Sequence, residues 1–510
     1  MPESLPLIIH YGWLSLLPIV ITVALALWTK RVIESLLVGL AICAGIIDYR
    51  VNGIFHSLLY AIPNTLGTIA GHAASPTLEG FGIAKNSGRG DLLVSIILLG
   101  SLITVLDKSG GALHFAEKAT QRIKTEVGAL LTAWLIGLSI FTSAYFSILV
   151  TGTMMRPIFD RMKISREKLA FYCDGMSAPT KALLPVSGWI AYMTVLVEEN
   201  IPSVGAGNGL QGFVQTMPYN FYCWGMILFV LLLSLKVIPD FGPMKGAEKR
   251  VKEEGLIHKP NSKPMIDPKA EEASKEMARK GDTSDMFLPL LVSVFTLLIL
   301  GMWNNYYAKW YPVLPKISIN SLQVMNLAFA LGILSALVKY VSKKLMTFTE
   351  FMDIAIEGGK AAIIGAIIIV MAVTLGDIMK AKAPEGLGTA VFLIETLKPY
   401  LTASWLPAIT FLIGAMMSFA TGTSWGTWAI MMPVSVPLAL GTGMDPFIVA
   451  GAVLAGGAFG DHCGPISDTT VLSSIASNTD HVEHIRTQIP YAAAIGAVCF
   501  ILYITIGFAL

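Results

Sequence analysis

The stretch 456–470, GGAFGDHCGPISDTT, decides how this chain is read. It sets two carboxylates (Asp461, Asp468), an imidazole (His462) and the hydroxyls of Ser467, Thr469, Thr470 and nearby Ser473 inside an apolar run. That run begins DPFIVAGAVLA (445–455) and resumes VLSSIA (471–476). Gly456, Gly457, Gly460, Gly464 and Pro465 are expected to interrupt a helix at the same place. Ionisable side chains inside a bilayer are costly unless they pair or face water, so such residues mark functional sites. Polar, unwound backbone at membrane depth is tolerated only where it lines a cavity or packs on protein. The stretch therefore reads as an ion or substrate site in a membrane carrier.

The rest of the chain supports the membrane setting. Of its 510 residues, 54% are hydrophobic and 14% charged, against about 25% charged in soluble domains. Apolar runs recur along the whole length and predict an all-α polytopic membrane protein with roughly 11–14 membrane segments. The expected location is the cell membrane, of the bacterial inner-membrane kind. The first run follows an acidic start, MPESLP, and is read as a retained helix rather than a cleaved signal. A net charge of +2 gives no reason to expect nucleic acid. The partners expected are the lipid bilayer and a small cation or small organic anion. A homodimer fits the architecture, although no dimer face is exposed by the pattern. The five cysteines are odd in number and read as lone core thiols. No HExxH pair, GxxxxGK[ST] loop or GxSxG elbow is present, which argues against a metal hydrolase, an ATP-driven pump and an enzyme generally. No cofactor is expected beyond the transported ions.

One hydrophilic segment, 239–285, holds ten Lys/Arg and ten Asp/Glu and reads as a solvated, cytoplasmic linker. It separates a first membrane half, 1–238, from a second, 286–510. Arg156, Arg161, Lys163, Arg166 and Lys168 form a cationic cluster that favours the same side. If residues 54–74 do not cross, the cluster and the linker fall inside and both termini lie outside. The halves share four features in order: an apolar run ending at Asp107 or Asp377, a short amphipathic piece, a first hydroxyl-rich break (139–147 or 418–427), and a second polar break (173–189 or 460–470). This is expected to be an inverted repeat with broken helices or re-entrant hairpins, which places substrate at mid-membrane.

The breaks carry the chemistry. In TGTSWGT (421–427), Gly422 and Gly426 let the backbone leave helix geometry, while Thr421, Thr423, Ser424 and Thr427 offer hydroxyl oxygens. A small hard cation wants such oxygens, by analogy with hard divalent ions. Broken helices also aim positive N-termini at anions, so the break alone leaves Na+ and a carboxylate substrate both open. Asp461 and Asp468 converge if 460–470 folds as a hairpin. Two carboxylates in a low-dielectric pocket cannot both stay ionised cheaply, so a proton and a cation compete for one site. His462 is the candidate pH sensor. In the first half, Thr142, Ser143, Asp174, Thr180 and Lys181 form the expected opposing half-site, with Lys181 standing where the second half has Asp468.

GGAFGDHCGPISDTTVLSS (456–474), with TGTSWGTW (421–428) upstream, resembles the NhaC family of Na+/H+ antiporters, within the ion-transporter superfamily of secondary carriers built from inverted repeats. The chain carries Gly464 where many members have Ser, which removes one hydroxyl. The resemblance implies exchange of Na+, or Li+, for H+, with Na+ held at Asp461, Asp468, Thr421 and Ser424. Ser467, Thr469 and Thr423 supply further oxygens. Relatives of malate/lactate type keep an organic-anion or amino-acid exchanger as the alternative, with a drug exporter or an ion channel behind it.

Overall fold

The structure is a computed structural model of the whole chain. It describes residues 10–29, 31–52, 88–111, 114–115, 118, 123–140, 143–184, 187, 189–205, 207–265, 281–302, 321–381, 386–397 and 402–509. Every regular element among them is a helix, and no named strand occurs. Five helices are long and apolar enough to cross a membrane, and a sixth arises if Gly209–Tyr219 and Phe221–Ser234, bent by 55°, form one broken span. The expected all-helical polytopic architecture is therefore present.

Two helix groups make up the body. In the first, Phe348–Lys380 runs along Gly88–Lys108, which also packs on Ser321–Ser342, itself paired with Thr283–Met302. The crossing is close because Gly100 and Gly358 face each other: a Cβ on Gly358 would sit 2.4 Å from the Gly100 carbonyl oxygen. Lipid offers no hydrophobic drive between helices, so small residues that admit backbone-to-backbone packing hold such pairs together. Outward-facing side chains such as Phe295, Val338 and Phe508 are exposed, as a lipid-facing surface requires.

The second group carries the polar breaks. Its axis is Pro446–Cys463, whose apolar window is 83% buried against 33% for His481–Ala509, so it is the central helix. Gly456, Gly457 and Gly460 do not interrupt it, contrary to the sequence expectation. They lie inside the helix and admit its neighbours. A Cβ on Gly460 would meet the Ala415 carbonyl oxygen at 2.2 Å, and one on Gly457 would meet the Trp428 ring nitrogen at 2.2 Å. The break falls at 464–467, between this helix and Asp468–Ser477. The other break is equally narrow. Leu406–Thr421 ends on Gly422, whose positive φ of 68° closes the helix with an N–H bond to the Ser418 carbonyl. Ser424–Thr442 then begins, with Gly426 inside it.

The start of the hydrophilic segment is packed rather than solvated. Gly242–Lys249 lies on His481–Ala509, and Glu248 accepts hydrogen bonds from the backbone N–H and hydroxyl of Ser165. Lys168 pairs with Asp240 at 2.9 Å, and Arg250 with Glu167 at 3.0 Å. The basic cluster read as a topology signal thus also anchors the connector. Residues 266–280 lie outside the described residues. The five cysteines are free and buried, as expected.

Candidate functional site

Asp461 lies in the last turn of Pro446–Cys463, where the chain is about to leave the helix. One carboxylate oxygen, Oδ2, accepts the Ser424 hydroxyl at 2.5 Å and the Ser424 backbone N–H at 3.3 Å. The other, Oδ1, accepts the Ser467 hydroxyl at 2.8 Å. Ser424 opens one helix, and Ser467 is the residue just before another. Helix N-termini present unpaired N–H groups and a partial positive charge. Asp461 therefore sits between two of them. Neither Thr423 nor Ser467, the residues at the two cap positions, makes a side-chain capping bond to its own helix. The Ser467 hydroxyl goes to Asp461 instead and also meets the Thr469 hydroxyl at 3.0 Å. No ion pair reaches Asp461 among the described residues, so a buried carboxylate is left with hydrogen-bond donors and no counter-ion.

The start of Ser424–Thr442 is fixed by aromatic packing. Tyr192 stacks on Trp425 with centroids 4.8 Å apart and donates its hydroxyl to the Trp425 carbonyl at 2.7 Å. Trp428 donates its ring N–H to the Leu454 carbonyl at 3.2 Å, against the face left open by Gly457. Ser418 donates to the Gly457 carbonyl at 2.7 Å and ties Leu406–Thr421 to the same helix.

Asp468 lies at the first position of its helix and is exposed, accepting the Tyr145 hydroxyl. It is near enough for its charge to act on Asp461. Asp174, fully buried, accepts the Gln488 amide at 2.8 Å on Oδ2, while its Oδ1 has no well-formed hydrogen bond. The Thr469 and Thr470 hydroxyls lie beside this carboxyl. The structure thus gathers Asp461, Ser424, Ser467 and Thr469, with Asp468 and Asp174 close by on either hand.

Other expected residues face elsewhere. Thr421 donates to the Met417 carbonyl of its own helix at 2.9 Å, and Thr180 donates to the carbonyl of Met176, just upstream of its short helix, at 2.6 Å. Thr423 uses its carbonyl to accept from Thr427. Ser143 caps its helix by accepting the Phe146 N–H at 3.2 Å. Thr142 lies outside the described residues. Lys181 is fully buried and donates to the carbonyls of Met176 at 3.1 Å and Gly137 at 3.4 Å. His462 is sealed in the interior, with Nδ1 on the Tyr222 hydroxyl at 2.7 Å and Phe171 beside it. Sequence reasoning missed Tyr145 and Gln488. Tyr145 stands in the first-half break 139–147, but a tyrosine in an apolar run carries no periodic signal. Gln488 stands at the edge of the last apolar run of the sequence, where polarity is cheap, whereas in the structure it lies inside a helix that begins at His481.

The sequence pattern of the Na+/H+ antiporter family matches residues 181–508. An uncharacterized protein of Haemophilus influenzae is 29% identical over 97% of this chain and 91% of its own length. The malate-2H(+)/Na(+)-lactate antiporter of Bacillus subtilis is 38% identical over 99 residues, 19% of this chain and 21% of that one. Among solved structures, the YdaH transporter of Alcanivorax borkumensis superposes with a TM-score of 0.54 at 16% identity, covering 89% of this chain and 90% of that one, a likeness of fold.

Proposed function

The chain belongs to the Na+/H+ antiporter family, and from that premise we propose that it is an antiporter of the cell membrane exchanging Na+, or Li+, for H+ at Asp461. Family membership makes it a multi-pass membrane carrier. The observation that carries the finer reading is the occupancy of the Ser424 helix start. A substrate carboxylate would need a free helix N-terminus, and here the protein's own Asp461 takes it. An anionic side chain held by neutral donors and lacking a counter-ion suits a cation. The proposed ligands are Asp461, Ser424, Ser467 and Thr469, with Asp468 at the entrance beside Tyr145.

The mechanism follows from one carboxylate serving two cations. With Na+ bound, Asp461 is charged, and the Ser424 and Ser467 hydroxyls turn their oxygens to the ion. When a proton replaces the ion, the neutral carboxyl keeps both serines as partners. Because only one cation fits at a time, each crossing of the loaded site carries one and returns the other. In this reading the two halves form inverted repeats, with Asp174, Lys181, Thr180, Ser143 and Thr142 on the opposing side. The helix-to-helix breaks at 422–423 and 464–467 are the points where one bundle hinges against the other.

A second reading rests on Lys181. It is a fully buried amine whose described partners are two carbonyls, and an organic anion would pair with its protonated form. The test is purified protein in liposomes with an internal pH dye, an imposed pH gradient, and additions of Na+, Li+, K+, malate and lactate. The expected result is a dye response to Na+ and Li+ that Asp461→Asn abolishes. A response to an organic acid alone would overturn the Na+/H+ reading.

A further inference from the structure

Two histidines outside the Asp461 site share one serine hydroxyl. His481, at the start of the last helix, and His484, one turn on, both direct Nδ1 at Ser474 Oγ, each at 2.9 Å. Their Nε2 atoms are committed elsewhere. His481 Nε2 lies 2.8 Å from the Pro465 carbonyl oxygen, which only accepts, so that nitrogen carries hydrogen. His484 Nε2 lies 2.8 Å from Gln488 Oε1. The Gln488 amide is oriented by its other end, where Nε2 donates to the His462 carbonyl and to Asp174. Gln488 Oε1 is therefore an acceptor, and His484 Nε2 carries hydrogen as well.

If both rings are neutral, both Nδ1 atoms are bare lone pairs facing one hydroxyl. Ser474 has a single hydrogen, for which the Thr470 carbonyl oxygen at 2.9 Å also competes. At least one buried lone pair is then set against oxygen. One added proton closes the network: a charged His481 donates Nδ1–H to Ser474 and Nε2–H to Pro465, while Ser474 donates to His484 Nδ1. Two added protons would place two imidazoliums on one oxygen, one of them on fully buried His484. We propose that His481 and His484, bridged by Ser474, form a one-proton binding site at the linker-facing end of the hairpin, with the proton on the less buried His481.

The surrounding groups agree. Asp480, next to His481, faces it with a carboxylate that burial pushes up. The N–H groups of Lys263, Glu483 and Val482, with His481, outweigh this and hold it below the usual carboxylate range. Glu483 is paired with Lys259 at 2.6 Å. From the opposite side, Arg166 faces the Ser477 and Asn478 carbonyls, and Arg156 donates to the Ala476 carbonyl at 2.6 Å. Gln488 links the pair to His462 and Asp174, and His462 also lies near enough to His484 for their charges to act on each other. The consequence lies in the break itself. A charged His481 bonds Pro465, two residues from the Ser467 that holds Asp461, and Ser474, on the helix that follows. Proton loading therefore adds the Ser474 bond to the standing Pro465 bond and clamps both sides of the 464–467 break to the last helix, and proton release loosens the Ser474 side alone. This coupling rests on the Na+/H+ reading above, whereas the proton site itself does not.

The test is nitrogen NMR of full-length protein labelled with 15N-histidine, with His481→Gln and His484→Gln used to assign the two rings. At neutral pH, one ring protonated on both nitrogens and one protonated on Nε2 alone is the expected spectrum. Two neutral rings, two charged rings, or an Nδ1–H tautomer at His484 would overturn the proposal. In liposomes, Ser474→Ala is expected to move the pH midpoint of Na+-driven H+ exchange by about one unit, with the maximal rate retained. Ser474→Thr keeps the hydroxyl and the midpoint. An unchanged Ser474→Ala profile would refute the coupling. Should the wild-type protein show no Na+-driven exchange, the Na+/H+ reading fails, and the NMR spectrum still decides the proton site.

Discussion

Ser424 and Thr421 stand three residues apart in one hydroxyl-rich break, yet the structure gives them different work. Ser424 Oγ donates to Asp461 Oδ2 at 2.5 Å, a bond from a neutral donor to a charged acceptor inside the protein. Thr421 Oγ1 bonds its own helix at Met417. Replacing Ser424 by Ala removes the stronger of two donors to Oδ2 and leaves the backbone N–H at 3.3 Å. Hydrogen bonds to charged groups are worth about 1.5–3 kcal/mol, and about 1.4 kcal/mol is a tenfold change in affinity. Ser424→Ala should therefore weaken Na+ binding roughly ten- to hundredfold. The hydroxyl also serves as a proposed ligand oxygen, which places the effect towards the upper end. Ser467→Ala, acting on the other carboxylate oxygen, should have a similar effect, and because both serines share Asp461 the two losses should couple rather than add. Thr421→Ala should change affinity less than about threefold, since it loses a local bond only. The assay is the Na+ concentration for half-maximal dye response in liposomes, checked against thermal unfolding so that misfolding is not mistaken for lost affinity. Equal losses for Thr421→Ala and Ser424→Ala, or no loss for Ser424→Ala, would refute the assignment of Asp461 to the Ser424 helix start.

Gly460→Ala should lower thermal stability by about 1–3 kcal/mol or prevent folding, because its Cβ would meet the Ala415 carbonyl at 2.2 Å; size-exclusion profiles and melting curves would show it. Lys181→Met should leave the Na+ response intact on the Na+/H+ reading, and its loss together with a malate or lactate response in wild type would favour organic-anion exchange. Asp480, with its folded-state value held below that of the unfolded chain, contributes stability that is present above about pH 4 and lost as pH falls through the folded value. The difference in melting temperature between wild type and Asp480→Asn should thus be constant near neutrality and shrink in strong acid.

The sequence alone determined the membrane class, the helical architecture and the family, and it singled out the residue proposed for the centre of the site. Apolar runs, a low charged fraction and a carboxylate within an interrupted apolar stretch are local facts, and the energetic penalty for charge in lipid makes them readable without a fold. Other features depend on three dimensions. The glycines of GGAFG look like helix breakers in one dimension, but their role is to admit Phe411, Ala415 and Trp428, residues whose approach depends on how helices cross. Hydroxyls at 421, 424, 467 and 180 are equivalent in a string; whether each bonds its own helix or a distant carboxylate depends on where its helix begins and what lies opposite. Gln488 and the pair His481 and His484 drew no notice in the sequence, because their meaning arises only when the last helix folds against the 464–467 break. Composition and periodicity report what a segment buries, whereas hydrogen-bond partners between segments far apart in the chain are settled by packing.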